Sequence, residues 1–202
     1  AFGATFPDID MPKEGLLSGM RPGKDTGLCW IVGADYGRVH ALQVVGERNA
    51  IAELTSRVVA WGAQPLGEEA FEVLRLEEGY PVTGYELTEE HNPWEAGLGR
   101  MIHLDKGCYI GQEVIARLDT YDKVKQYLVG LRLSNDTSGT GDILLAPDGR
   151  DAGKVTSAAF SPTLQGPIAL AYVRNEFCKP ETILYLKHSD TAATVGVLPF
   201  PL

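Results

Sequence analysis

Cysteine is scarce in this chain. Its 202 residues hold 3, Cys29, Cys108 and Cys178, far apart and with no Cys-x-x-Cys pair. An odd, dispersed set does not suggest a disulfide framework or a zinc site; it fits a reducing compartment. Long apolar runs are missing too: no stretch reaches the ~18 consecutive apolar residues of a membrane helix, and no basic-apolar-small leader opens the chain. A start Met is absent. The first residues, Ala1 to Asp8, read as loop, so the chain is expected to begin partway through a longer polypeptide. Positive charge is in deficit, with a net charge of −9, which argues against nucleic acid as a direct ligand, because phosphate backbones require Lys and Arg. The histidines, His40, His91, His103 and His188, are scattered without helical i, i+4 partners, so no metal site is expected. Gly-x-Gly-x-x-Gly, the phosphate-binding Gly-Lys-Ser/Thr loop and the Gly-x-Ser-x-Gly elbow are all absent.

What is present is ordinary globular composition, 44% hydrophobic and 22% charged, enough for one good core or two small ones. The acidity is one-sided. Residues 1–120 carry 19 acids against 10 bases, whereas residues 121–202 are balanced at 8 of each. Leu28 to Gly33 and Val39 to Val45 are apolar runs around the turn-like Ala34-Asp-Tyr-Gly-Arg38, which predicts a hairpin. Ile51, Leu54, Val58 and Trp61 then fall on one helical stripe that Gly62 ends. A second helix starts after Gly67, with Glu68 and Glu69 complementing its dipole. Its shared face is Phe71, Leu74 and Glu78, and Gly79 and Pro81 close it. Tyr80 to Glu95 reads as loop, its acids Glu86, Glu89, Glu90 and Glu95 forming a solvated face. Gln112 to Leu118 is a candidate short helix.

After Tyr121 the texture changes. β-rich runs at 127–133, 143–145, 153–159, 168–174, 182–187 and 193–198 alternate with turns such as Pro147-Asp-Gly149. This spacing predicts a small antiparallel barrel or sandwich, with a boundary near Asp119 to Lys123. The fold class is therefore α+β: residues 1–120 as one domain and 121–202 as a C-terminal β-domain.

The segment richest in chemistry is Lys106-Gly107-Cys108-Tyr109-Ile110-Gly111-Gln112-Glu113. Two glycines four apart allow a tight turn and leave the thiol between them poorly shielded. Lys106 precedes Cys108 by two residues, Arg117 follows by nine, and a helix N-terminus is expected just beyond. Positive neighbours and a helix N-terminus favour thiolate, which makes Cys108 the candidate reactive cysteine; the alternative is a small buried hydrophobe. Gln112 and Glu113 suit either a polar heterocycle or a helix cap. Cys29 in Leu-Cys-Trp-Ile-Val reads as core and Cys178 as structural.

Lys106-Gly-Cys108-Tyr109-x-Gly111-Gln112-Glu113-x-x-x-Arg117 resembles the signature of the YgfZ family, folate-binding proteins of the glycine-cleavage T-protein superfamily. Arg75-Leu-Glu77-Glu-Gly79 and Asn92-Pro93-Trp-Glu95-Ala-Gly-Leu98 resemble two further segments of that superfamily, in order and at its spacing. Gly153-Lys-Val-Thr-Ser157 and Val197-Leu-Pro-Phe200 also resemble it. The resemblance implies α+β subdomains with a C-terminal antiparallel β-barrel and a tetrahydrofolate cofactor. It implies Glu77 as the pterin-binding carboxylate, able to accept two N–H donors from an aminopyrimidinone edge, with Tyr109, Gly111, Gln112 and Glu113 at the same site. Arg75 and Arg100 are candidates for the folate's own carboxylates. Cys108 would be the working thiol, with Lys106 and Arg117 beside it. The implied role is an accessory factor for assembly or repair of iron–sulfur proteins, linked to tRNA modification. The implied partners are folate and iron–sulfur proteins or their assembly factors, without membrane, for a monomer in a bacterial cytoplasm or mitochondrial matrix. Two departures bear on transfer chemistry. The catalytic Asp of true aminomethyltransferases lies in an N-terminal part not in this chain, and Thr83 stands where T-proteins often place Tyr. A folate-dependent aminomethyltransferase or demethylase is the competing expectation.

Overall fold

The computed structural model describes residues 17–20, 27–34, 36–121, 124–135 and 139–201. The expected loop at Ala1 to Asp8, and positions 122–123 of the expected boundary, lie outside them. The chain forms two compact units, residues 1–70 and 71–202.

In the first unit, β1 (Leu17–Met20), β2 (Cys29–Gly33) and β3 (Leu42–Gly46) form an antiparallel sheet in the order β1-β2-β3. The predicted hairpin is β2–β3. Its second arm starts late because Tyr36 and Val39 first close a turn of their own, exchanging two 2.9 Å backbone hydrogen bonds around Gly37 at φ 61°. β1 was not legible in the sequence. Cys29 opposes Gly46, where an added Cβ would lie 2.6 Å from the Cys29 Cα, so only glycine fits. The helix α1 (Arg48–Ala60) covers this sheet with Ala50, Leu54 and Val58 against Cys29 and Val44. The packed stripe is therefore rotated from the expected one: Ala50 is buried, while Trp61 is exposed, its ring under the Arg57 guanidinium at 5.1 Å.

The helix α2 (Glu68–Glu77), which lies in the second unit from Phe71 onward, buries Arg75, Leu76 and Glu77; of the expected face, Phe71 and Leu74 are half-buried and Glu78, just past the helix, is buried. The helix ends in a Schellman turn: Tyr80 N–H bonds Arg75 C=O (2.7 Å) and Gly79 N–H bonds Leu76 C=O (3.1 Å), with Gly79 at φ 67°. The loop to residue 111 contains one 3₁₀ turn, Gly99–Met101. The helix α3 (Gln112–Tyr121) follows.

The predicted β-domain is a closed six-stranded antiparallel barrel. Its strands are β4 (Gln126–Leu133), β5 (Ile143–Leu145), β6 (Asp151–Ser161), β7 (Gly166–Arg174), β8 (Ile183–Leu186) and β9 (Ala192–Gly196), in the order β4-β7-β6-β5-β8-β9. Closure leaves no edge strand unpaired. Leu131, Leu144, Val155, Leu184 and Val195 fill the interior. β7 is buried on both faces. Ala169, Ala171 and Val173 point into the barrel, while Ile168 and Leu170 pack outward against Leu76 of α2 and Phe200. That double burial explains its continuous apolar run.

Candidate functional site

The Lys106–Glu113 segment is a surface turn leading into α3. Gly111 adopts φ 89°, a conformation that strains any residue with a Cβ, and its carbonyl accepts from Val114 N (3.0 Å) and Ile115 N (3.2 Å) to start the helix. Gln112 Oε1 accepts from Tyr109 N at 3.2 Å, so its amide pins the turn, as expected of a cap. The Lys106 ammonium sits 4.5 Å from the centroid of the Tyr109 ring. The Cys108 thiol is exposed. It shares a groove of about 410 Å³ with Lys106, Tyr109, Gln112 and Glu113. Arg117, exposed on α3, and Gly111 do not line this groove. Trp94 Nε1 donates to Ile115 C=O at 3.0 Å, tying α3 to the preceding loop. Cys29 and Cys178 are less accessible. Burial raises both thiol pKa values, that of Cys178 to about 11.

Glu77 lies elsewhere in the unit. It is buried, and its Oε1 accepts from Ser161 Oγ at 2.5 Å, which in turn accepts from Leu164 N at 2.9 Å. No hydrogen bond to its second oxygen is found among the described residues, so the carboxylate keeps acceptor capacity that would suit a pterin N–H. It lines neither the Cys108 groove nor the larger cavity described below.

Arg75 is fully buried and already neutralised. It bonds Glu72 through Nε at 2.9 and 2.8 Å, Glu86 Oε2 through Nη1 at 3.1 Å and Ser157 Oγ through Nη2 at 2.8 Å. A folate carboxylate would have to displace these partners. Two of the acids expected on a solvated face prove to be internal: Glu86 is completely buried and Glu95 nearly so, while Glu89 and Glu90 are exposed. Charge count cannot reveal which acid of a cluster finds a buried guanidinium. Glu86 Oε1 also accepts from Thr156 Oγ1 (2.8 Å) and Ser157 Oγ (2.6 Å). Two consecutive strand residues reach one carboxylate because the β6–β7 register slips between Val155 and Ser157; a bulge re-aims side chains in this way.

The same loop roofs a cavity of about 1190 Å³ on the outside of the barrel. There His91 stacks on Tyr172, ring centroids 3.5 Å apart and planes 23° apart. Gln126 Nε2 lies 3.1 Å from His91 Nδ1, and the Tyr172 hydroxyl donates to Glu86 C=O at 2.9 Å. Desolvation lowers the His91 pKa, opposed by Glu95 and Glu90 and assisted by Lys154. Burial pushes the Tyr172 phenol up. Sequence reading missed this cavity. His91 is an isolated histidine, and Tyr172 lies within an apolar strand; only tertiary packing stacks them. No group of three or more His, Cys, Asp or Glu placed to hold a metal occurs among the described residues, and no described helix is long and apolar enough to cross a membrane.

Residues 126–202 match the glycine cleavage T-protein C-terminal barrel domain, and residues 45–106 match the GCVT N-terminal domain. The chain belongs to the glycine-cleavage T-protein superfamily. The proteins it is similar to include a putative chloroplastic transferase of Arabidopsis thaliana, 44% identical over 119 residues, covering 59% of this chain and 27% of that protein. They also include an aminomethyltransferase of Saccharopolyspora erythraea, 39% identical over 142 residues, covering 69% of this chain and 38% of that one. The structure of the glycine cleavage system aminomethyltransferase T from Bartonella henselae superposes with a TM-score of 0.75 at 23% identity, over 91% of this chain and 52% of that one. The T-protein fold is thus shared, while the chain spans well under half the length of these two curated relatives.

Proposed function

We propose that this T-protein-like chain binds tetrahydrofolate and serves as a YgfZ-type accessory factor in the assembly or repair of iron–sulfur proteins, with a link to tRNA modification. The observation that carries the reading is the exposed Cys108 thiol, held on a turn braced by Gln112 and by Lys106 packed on Tyr109. An accessory factor that works through a thiol must present it to another macromolecule, and this thiol is presented. In this reading Cys108 is the working group, Lys106 supplies positive charge in the same groove with Arg117 adding to it from α3, and Glu77 accepts the pterin N–H groups through its free oxygen. Tyr109, Gly111, Gln112 and Glu113 shape the surface beside the thiol. Replacing Cys108 with Ala in the host is expected to lower the activity of iron–sulfur enzymes while protein level is kept. Unchanged activity removes the thiol from the account. Calorimetric titration with tetrahydrofolate tests the cofactor separately.

A second reading, a folate-dependent aminomethyltransferase or demethylase, is favoured by the matched relatives that carry the name aminomethyltransferase. It requires a general acid or base near bound folate. Folate-dependent release of carbon from methylated amines would support it, and the absence of turnover would end it.

A further inference from the structure

We propose that the cavity over the His91–Tyr172 stack binds a small dipolar ligand, one that carries an ammonium and a carboxylate on the same molecule. The cavity belongs wholly to the second unit and is not used by the function proposed above. Its charges are sided. Glu89 and Glu90 line it from the loop; Lys154 on β6 and Lys125 just before β4 line it from the barrel. None of these four side chains has an ion-pair partner among the described residues. Of the other charges at the wall, Arg174 faces Asp151 at 3.7 Å and Glu176 pairs with Arg150 at 2.8 Å, while the buried Glu95 accepts from Asn92 N at 3.1 Å and lies 3.9 Å from His91 Nδ1, adding its charge to the acidic side. Two loop carboxylates and two barrel ammoniums, none of them ion-paired among the described residues, thus line one concavity. A simple anion would meet Glu89 and Glu90, and a simple cation would meet Lys125 and Lys154. A molecule with both charges satisfies each set, its ammonium toward the loop and its carboxylate toward the barrel.

The floor suits the body of such a ligand. His91 is held flat against Tyr172, and with Nδ1 accepting from Gln126 its neutral ring carries the proton on Nε2. Tyr85, half exposed at the rim, offers a second ring above the Arg75 guanidinium at 5.4 Å. Flat rings in a cavity lined by charges of both signs favour an amino-carboxylate with an apolar or aromatic side chain. The same chemistry occurs in a free amino acid and in a short peptide stretch that places Lys and Glu around an aromatic residue.

The test is calorimetric titration of the 202-residue chain at neutral pH with three matched probes: L-phenylalanine, phenethylamine and 3-phenylpropionate. L-Phenylalanine is expected to bind about tenfold tighter than either singly charged analogue, as two partly shielded ion contacts allow. It should also shift the His91 ring resonances, assigned by their loss in His91→Ala. A Lys125→Ala, Lys154→Ala double variant should erase the preference over phenethylamine and keep the preference over 3-phenylpropionate. Glu89→Gln with Glu90→Gln should do the reverse. All four are surface positions whose replacement leaves folding intact. N-acetyl-Lys-Phe-Glu-amide identifies the source: tighter binding than phenylalanine supports a peptide ligand, weaker binding a free amino acid. Equal affinity for the three probes, no binding of any, or unchanged preferences in the variants overturns the proposal. Tetrahydrofolate titrated in the same way reads the folate proposal independently, so either can fail alone.

Discussion

Arg75 and Glu86 are both completely buried, which is tolerable only because every charge finds a partner: Glu72 and Glu86 for the guanidinium, Thr156 and Ser157 for the carboxylate. Removing one member leaves an uncompensated interior charge. Glu86→Ala is therefore expected to cost about 3–5 kcal/mol in urea denaturation, and Arg75→Met with Glu86→Leu should lose much less than that single change. Among the cysteines the order of reactivity follows exposure. A maleimide should label Cys108 first, and Cys108→Ala should abolish the fast phase while moving stability by no more than about 0.5 kcal/mol. Cys29 and Cys178, buried or half-buried with raised pKa values, should label only on unfolding. His91 titrates in the opposite sense to a stabilised cation. Burial lowers its pKa in the fold, so the unfolded chain binds the proton more readily. Its contribution to stability is complete above the unfolded value near ~6.5 and is lost as pH falls toward the lower folded pKa. The pH dependence of urea midpoints in this window should flatten in His91→Phe.

Elements are set by a few positions where backbone geometry decides. Gly79 closes α2 at φ 67°, and a Cβ there would stand 2.9 Å from Leu198. Gly79→Ala is expected to destabilise by more than ~1 kcal/mol, from backbone strain and the clash together. Gly107, with nothing within 4 Å of an added Cβ, is the matched control, and its alanine variant should lie within about 0.5 kcal/mol of the parent by thermal denaturation. The β6 bulge is the other such position. It turns Thr156 and Ser157 together toward Glu86, and so anchors the loop that carries Glu89, Glu90 and His91 over the barrel.

For the molecule as a whole, the two units differ in how much core they own. The barrel buries a continuous set from Val129 to Val195 and closes all its edges. The described core of the first unit is Cys29, Ala50 and Leu54 with two partial neighbours. Native-state hydrogen exchange should therefore be slowest in β4 and β7 and reach the amides of α1 and β3 well before global unfolding. Uniform protection across both units would contradict this division.

The local pattern of the chain was enough to determine its α+β class, the β2–β3 hairpin, α1 and all six barrel strands. Alternation of side chains, glycine turns and apolar runs act over a few residues, and those forces are written in sequence order. The Cys108 motif was legible for the same reason: its glycines, its cap and its exposure are local. Tertiary structure alone decided that Glu86 is interior and paired with Arg75, that Glu77 bonds Ser161, and that His91 lies on Tyr172 to floor a cavity. Each of these unites groups from about ten to more than eighty residues apart. Which partner a charge or ring meets over such a span depends on how strands register and where a bulge falls, and no short-range pattern encodes that.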